Sequence, residues 1–182
     1  MAIRSLKTGS LSRSAQAGNT MIFPGSYESI ATVTVSTSVS SVTFSSIPAT
    51  YTHLQLRVFS AASASAGFGL RFNNDSNSAW HYLKGDGTNV VSSSSTYQAG
   101  DIYAGDTGTS SGYGVQIIDI LDYTNTNKFK VMRSLGGYDL NGSGVVSLRS
   151  GYWGSTAAIS TVSFHSATWL QYSSFALYGI KG

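Results

Sequence analysis

The sequence predicts an all-β protein: an antiparallel two-sheet sandwich, jelly-roll-like, with an extended N-terminal arm. Three observations carry this expectation. Runs of period-two alternation recur along the chain, separated by turn residues, and no stretch shows convincing helical periodicity. Charged residues are only 10% of the 182, against about 25% in an average globular protein. Ser, Thr, Gly and Tyr fill the gap, which suits sheets with neutral polar outer faces. Finally, the formal charge of +3 is confined to the first 27 residues, as Arg4, Lys7 and Arg13, and the remainder from Glu28 balances. The expected division is therefore an arm over 1–27 and a β-sandwich over 28–182.

The elements follow in order. "ESIATVTV" sets Ile30, Thr32 and Thr34 against Ala31, Val33 and Val35. "SVTFSSIP" is a second strand that stops at Pro48, which has no N–H to give a ladder. "THLQLRVF" puts Leu54, Leu56 and Val58 on one face and His53, Gln55 and Arg57 on the other. "FGLRF" runs into the polar turn "NNDSNS", and "WHYL" is broken by "KGDGTN", where Asp86-Gly87 favours a tight turn. Residues 84–114 are the least regular. They read as a long loop with a short strand near Asp101–Tyr103. "YGVQIIDILDY" and "NKFKVMRSLGGY" flank "TNTN", a hairpin connection, and "GVVSLRSGYW", "AISTVSFHSA" and "SSFALYGIKG" complete nine or ten strands. The last strand is apolar on both faces, so it should be interior and should fix the C-terminus in the fold. Eight or more strands without a helix layer need two packed sheets. So few charges give sheet edges little electrostatic protection, which points to edges covered by closure or by copies of the same chain.

Several function classes lose support. With no cysteine there is no disulfide framework, thiolate nucleophile or Cys-based zinc site. The opening lacks the apolar run of a secretory signal, and no segment approaches the length of a membrane span. A net charge of +3, despite a pI of 9.2, is too small to claim nucleic acid as a partner. His53, His81 and His165 lie in separate strands with no metal-ligand spacing, and Glu28 is the only glutamate. Asp119 and Asp122 stand three apart on a strand and so face opposite sides; they read as a strand-end and a turn aspartate, not an acid–base pair. Asn73, Asn74, Asp75 and Asn77 read as an Asx-rich turn in preference to a calcium loop, which would want more carboxylates. "SGYWGS" has the wrong order for a nucleophile elbow. The expectation is no catalytic residues, no metal and no cofactor: not an enzyme. The remaining chemistry is aromatic. Trp80, Tyr103, Tyr152 and Trp153 are candidates for stacking on glycans or for filling an interface.

Two groups of residues carry a resemblance. The opening "IRSLKTGSLSRS", followed by "PGSYESIATVTV" and "SSVTFSSIPATYTHLQLRV", resembles the start of small structural proteins of tailed bacteriophages. "LRFNNDSNSAWHYLKGDG" and "SSFALYGIKG" are similar to the same group; about 88–112 and 135–160 are not covered. The resemblance implies a virion protein, made in the host cytoplasm. It would be a decoration (cement) protein that binds and stabilises the outer capsid lattice, with the major capsid protein as partner. It implies a homo-oligomer, a trimer preferred to a dimer; the charge and hydropathy above give the expectation of no nucleic acid or membrane partner. The alternative is a tail or fibre module binding host-surface glycans. On this reading the arm is a tether; the alternative is that it packs along its own sandwich as an extra edge strand or is inert. Arg4, Lys7 and Arg13 would meet carboxylates, and Ile3, Leu6, Leu11, Met21, Ile22 and Phe23 would anchor in apolar sites, the whole ordering on binding.

Overall fold

A computed structural model describes residues 26–64, 67–95 and 100–181. Among them are twelve strands and no helix. In chain order these are β1 (Tyr27–Thr34), β2 (Val39–Phe44), β3 (His53–Ser60), β4 (Gly67–Phe72), β5 (Ser78–Gly85) and β6 (Val90–Ser95), then β7 (Ile102–Asp106), β8 (Gly114–Ile120), β9 (Lys130–Asp139), β10 (Gly144–Trp153), β11 (Val162–Trp169) and β12 (Ser174–Ile180). They form two antiparallel sheets packed as a sandwich. The large sheet has the order β1-β12-β3-β8-β9-β10-β5-β6, and the small one β2-β11-β4-β7. The chain changes sheet repeatedly between β1 and β5 and again around β7 and β11, so sequence neighbours pack face to face across one core.

That core is the alternation made physical. Leu54, Leu56 and Val58 of β3 and Ile118 and Ile120 of β8 point inward from the large sheet. Phe68, Leu70 and Phe72 of β4 and Val162 and Phe164 of β11 meet them from the small one. Trp169 is fully buried, edge-on to Phe68 at 5.4 Å and to Phe175 at 4.9 Å. β12 lies between β1 and β3, the interior position its two apolar faces predict.

Three expectations need correction. The strand count is twelve, not nine or ten, because the region expected to be a long loop contains β6 as well as β7. β6 shows no apolar alternation; it exists because its backbone pairs with β5 from Trp80↔Ser95 to Gly85↔Val90. The hairpin connection between β8 and β9 is present at "TNTN" but longer, spanning 121–129, with Asp122 inside it at a positive φ of 49°. Tyr27 belongs to β1, one residue inside the expected arm.

The expected tight turn after β5 is present. Asp86 N–H donates to Asn89 O at 3.1 Å, and Gly87 takes φ +89°, a conformation that suits glycine. The Asx-rich turn is present too, with Asn73 and Asn74 both at positive φ. Asn73 Oδ1 accepts from Ser160 N at 2.9 Å and Thr161 N at 3.0 Å, and its Nδ2 donates to Ala158 O at 2.8 Å. Asp75 Oδ1 accepts from Asn77 N and Oδ2 from Trp153 Nε1, at 3.0 and 2.9 Å. The Asx side chains therefore bind the β4–β5 turn to the segment leading into β11.

Candidate docking face

An antiparallel sheet with one face on the core ordinarily shows polar residues to solvent on the other. β8, β9, β10 and β5 depart from that. Their register aligns outward side chains into rows across the large sheet. One row runs Arg57, Ile117, Leu135, Leu148, Leu83, Ser92 from β3 to β6. The next, one pleat nearer the β9–β10 turn, runs Phe59, Val115, Gly137, Val146, Gly85, Val90. These apolar side chains are exposed, Val146 at 67% and Leu135 at 56%. On the other side the row Gln55, Asp119, Arg133, Ser150, His81, Ser94 is polar. Asp119 accepts from Gln55 Nε2 at 2.9 Å and pairs with Arg133 at 3.3 Å. The apolar rows thus have a defined polar border.

The glycines shape the face. Where Gly137 and Gly85 stand in the row, there is no side chain to fill the surface, and a groove of about 890 Å³ opens. Tyr113 lies along it, stacked on Phe59 at 5.0 Å and donating its O–H to Gln171 O at 2.6 Å. The carboxylates of Asp86 and Asp139, in the β5–β6 and β9–β10 turns, border the groove, and among the described residues no Lys, Arg or His lines it. Asp86 Oδ1 accepts from Asn89 N at 2.6 Å and Thr88 N at 2.8 Å, and these amides hold its pKa below the ordinary 3.8. Asp139 Oδ1 accepts from Gly142 N at 3.2 Å.

A second constellation lies between the sheets. Arg149, on β10, is 1% exposed and paired with Asp106 of β7. Its guanidinium lies 3.7 Å from the centre of the Tyr103 ring and 5.0 Å from that of Tyr82. Tyr103 O–H donates to Asp106 Oδ1 at 3.1 Å; burial first, then the Asp106 charge, pushes its pKa up. Trp80 stacks on Tyr82 at 5.7 Å, and Tyr103 meets both rings edge-on at 5.4 Å. This cluster joins β7 to the far half of the large sheet.

The sequence-predicted residues divide accordingly. Ile3, Arg4, Leu6, Lys7, Leu11, Arg13, Met21 and Phe23 lie outside the described residues. Trp80 and Tyr103 belong to the aromatic cluster around Arg149. Trp153 is core, 2% exposed and edge-on to Phe72 at 5.8 Å. Tyr152 is on the outer face, edge-on to the exposed Phe129 at 5.4 Å. The four aromatics do not converge on one site. The residues that do converge, Val115, Ile117, Leu135, Val146, Leu148 and Leu83, were not singled out from the sequence. The available signal was apolar residues on both faces of "GVQIIDI" and "GVVSLRSGYW".

The histidines are separate. His53 Nδ1 accepts from Asp122 N at 2.9 Å, while His81 and His165 lie on β5 and β11. Asp119 is on β8 and Asp122 in the turn beyond it, as their spacing predicts. Among the described residues no three His, Asp or Glu side chains gather at metal-binding distance, and no helix is long and apolar enough to cross a membrane. Comparison with protein-family models, curated proteins and solved structures finds no match to this chain.

Proposed function

We propose that this chain is a structural virion protein, a capsid decoration module that docks through the outer face of its large sheet and stabilises the lattice it covers. The observation that carries the docking role is the pair of apolar rows spanning β3 to β6. Seven exposed aliphatic side chains and Phe59 there offer on the order of 700 Å² of apolar surface, at the upper end for a soluble monomer and approaching the ~800 Å² per partner of a standard interface. Strands need no such outward surface for the sandwich itself; covering it removes apolar area from water at about 25 cal/mol per Å². The virion assignment rests on the sequence resemblance, as do the major capsid protein as partner and the location on the capsid surface. A homo-oligomer is part of the same reading, because the apolar rows of the outer face can also meet copies of the chain.

The experiment is copy number: quantitative peptide mass spectrometry of purified virions, scaled to the major capsid protein. The expected outcome is hundreds of copies per particle. A handful would move the chain to a tail or fibre position and favour glycan binding there. Absence from virions would overturn the virion reading and leave only a docking module.

A further inference from the structure

We infer that the groove over Gly137 and Gly85 is the seat of an N-terminal segment, residues 1–25, supplied by a second copy of this chain. The inference rests on the reading of this sheet face as a docking face and names a copy of the chain as what covers its Gly137–Gly85 end; it does not depend on the virion assignment.

Four observations point to this occupant. The first is charge. The groove is bordered by the carboxylates of Asp86 and Asp139 and, among the described residues, by no cation, while residues 1–25 carry Arg4, Lys7 and Arg13 and no acid. The second is apolar content. Ile3, Leu6 and Leu11 are spaced among those cations and match a seat walled by Val115, Leu135, Val146 and Tyr113. Gly137 and Gly85 leave its floor low enough for an extended backbone to approach.

The third is reach. The start of β1 and the groove lie on different strands and at opposite ends of the large sheet. The separation is about 20 Å across the strands and about 25 Å along them. Twenty-five extended residues span roughly 80 Å, so length is no obstacle. The fourth is direction, and it favours a second copy. β1 runs parallel to β3, from the Ile180 end of the sheet towards the Ser60 end, where the groove lies. Ser26 O accepts from Lys181 N, so the chain is still in register with the sheet as it meets β1. The chain thus enters the large sheet at the end away from the groove of the same molecule. The entry to β1 and the seat stand at opposite ends of the large sheet, the arrangement of a head-to-tail contact, which closes a ring when its rotation permits.

The test uses the full chain, with photoreactive benzoylphenylalanine in place of Leu6. It is mixed with an equal amount of ¹⁵N-labelled unmodified chain, irradiated and digested. The expected cross-links join the light Leu6 position to heavy peptides containing Val115, Leu135 or Val146. Replacing the heavy chain by its Gly85→Leu variant should lower their yield at least fivefold. A Cβ at Gly85 meets only Asn89 O, at 3.7 Å, so the added side chain enters the groove and not the core. A second heavy variant, Asp86→Asn with Asp139→Asn, keeps the turn-capping oxygens and should lower the yield as well. Cross-links scattered over the surface, unchanged by both variants, would overturn the seat. Cross-links confined to the light molecule would overturn the exchange between copies. The virion copy number is read independently, so failure of either conclusion is seen separately.

Discussion

Lys130 is the buried side chain whose chemistry is least expected. It lies on the inner face of β9, 1% exposed, yet no carboxylate pairs with it. Its ammonium instead gives its three protons to main-chain carbonyls: Asn125 O, Lys128 O at 3.0 Å and Thr156 O at 3.0 Å. Burial, then the neighbouring Lys128 charge, pushes its pKa down, with Asp122 opposing. One side chain thus ties the 121–129 connection to the segment after β10. Lys130→Met keeps the apolar stem and removes the donors, leaving those carbonyls to find other partners. The expected loss is about 2–4 kcal/mol, seen as a lower urea midpoint at unchanged slope. An unchanged midpoint would mean that solvent replaces the ammonium. Nothing in "NKFK" announces this. The period places Lys130 inward with Met132 and Ser134, but the carbonyl from Thr156 arrives only through the fold.

At the scale of elements, what is legible depends on whether one strand suffices to determine it. The faces of β3 could be assigned from "HLQLRV" because its outward residues are polar. The turn after β4 could be assigned because Asx residues there have a local role. Asn73→Ala tests that role: it removes three acceptor contacts, from Ser160 N, Ser160 Oγ and Thr161 N, and one donor contact with 158–161, and puts alanine at φ 49°. It should cost about 2–3 kcal/mol, whereas Asn77→Ala at a neighbouring turn position should cost less. Equal losses in thermal denaturation would show that Asn73 is not the fastener. β6 was illegible because "VVSSSS" becomes a strand only by pairing with β5. The docking face was illegible for a related reason. Alternation separates two faces of a strand, but when both are apolar it does not say which meets the core. The rows appear only once the register lines up Ile117, Leu135, Leu148 and Leu83, which are far apart in sequence.

For the whole molecule, the few charges make each carboxylate count in acid. Lys181 donates to Glu28 Oε1 at 2.5 Å and Tyr51 to Oε2 at 3.1 Å, joining the first and last strands. These bonds, Lys181 first, hold the Glu28 pKa below its ordinary 4.5. The Lys128 ammonium does the same for Asp122, and the amides of Asn89 and Thr88 for Asp86, both against an ordinary 3.8. A carboxylate whose pKa is lower folded than unfolded binds fewer protons in the folded state. Its stabilisation is therefore full above the unfolded value and is lost as pH falls through the folded one. All three act in the same direction, so the melting temperature should change little from pH 7 to about 5 and then decline steadily below about 4.5. Glu28→Gln should lower it at pH 7, where the ion pair is lost, and flatten the upper part of the acid decline. The part below about 3.8, belonging to the two aspartates, should remain. Calorimetry across this range reads both. A wild-type melting temperature that holds to pH 3 would show that these three contacts are matched in the unfolded chain. An acid decline of the same shape in Glu28→Gln would assign it to the aspartates, and so to the two connections and not to the β1–β12 closure.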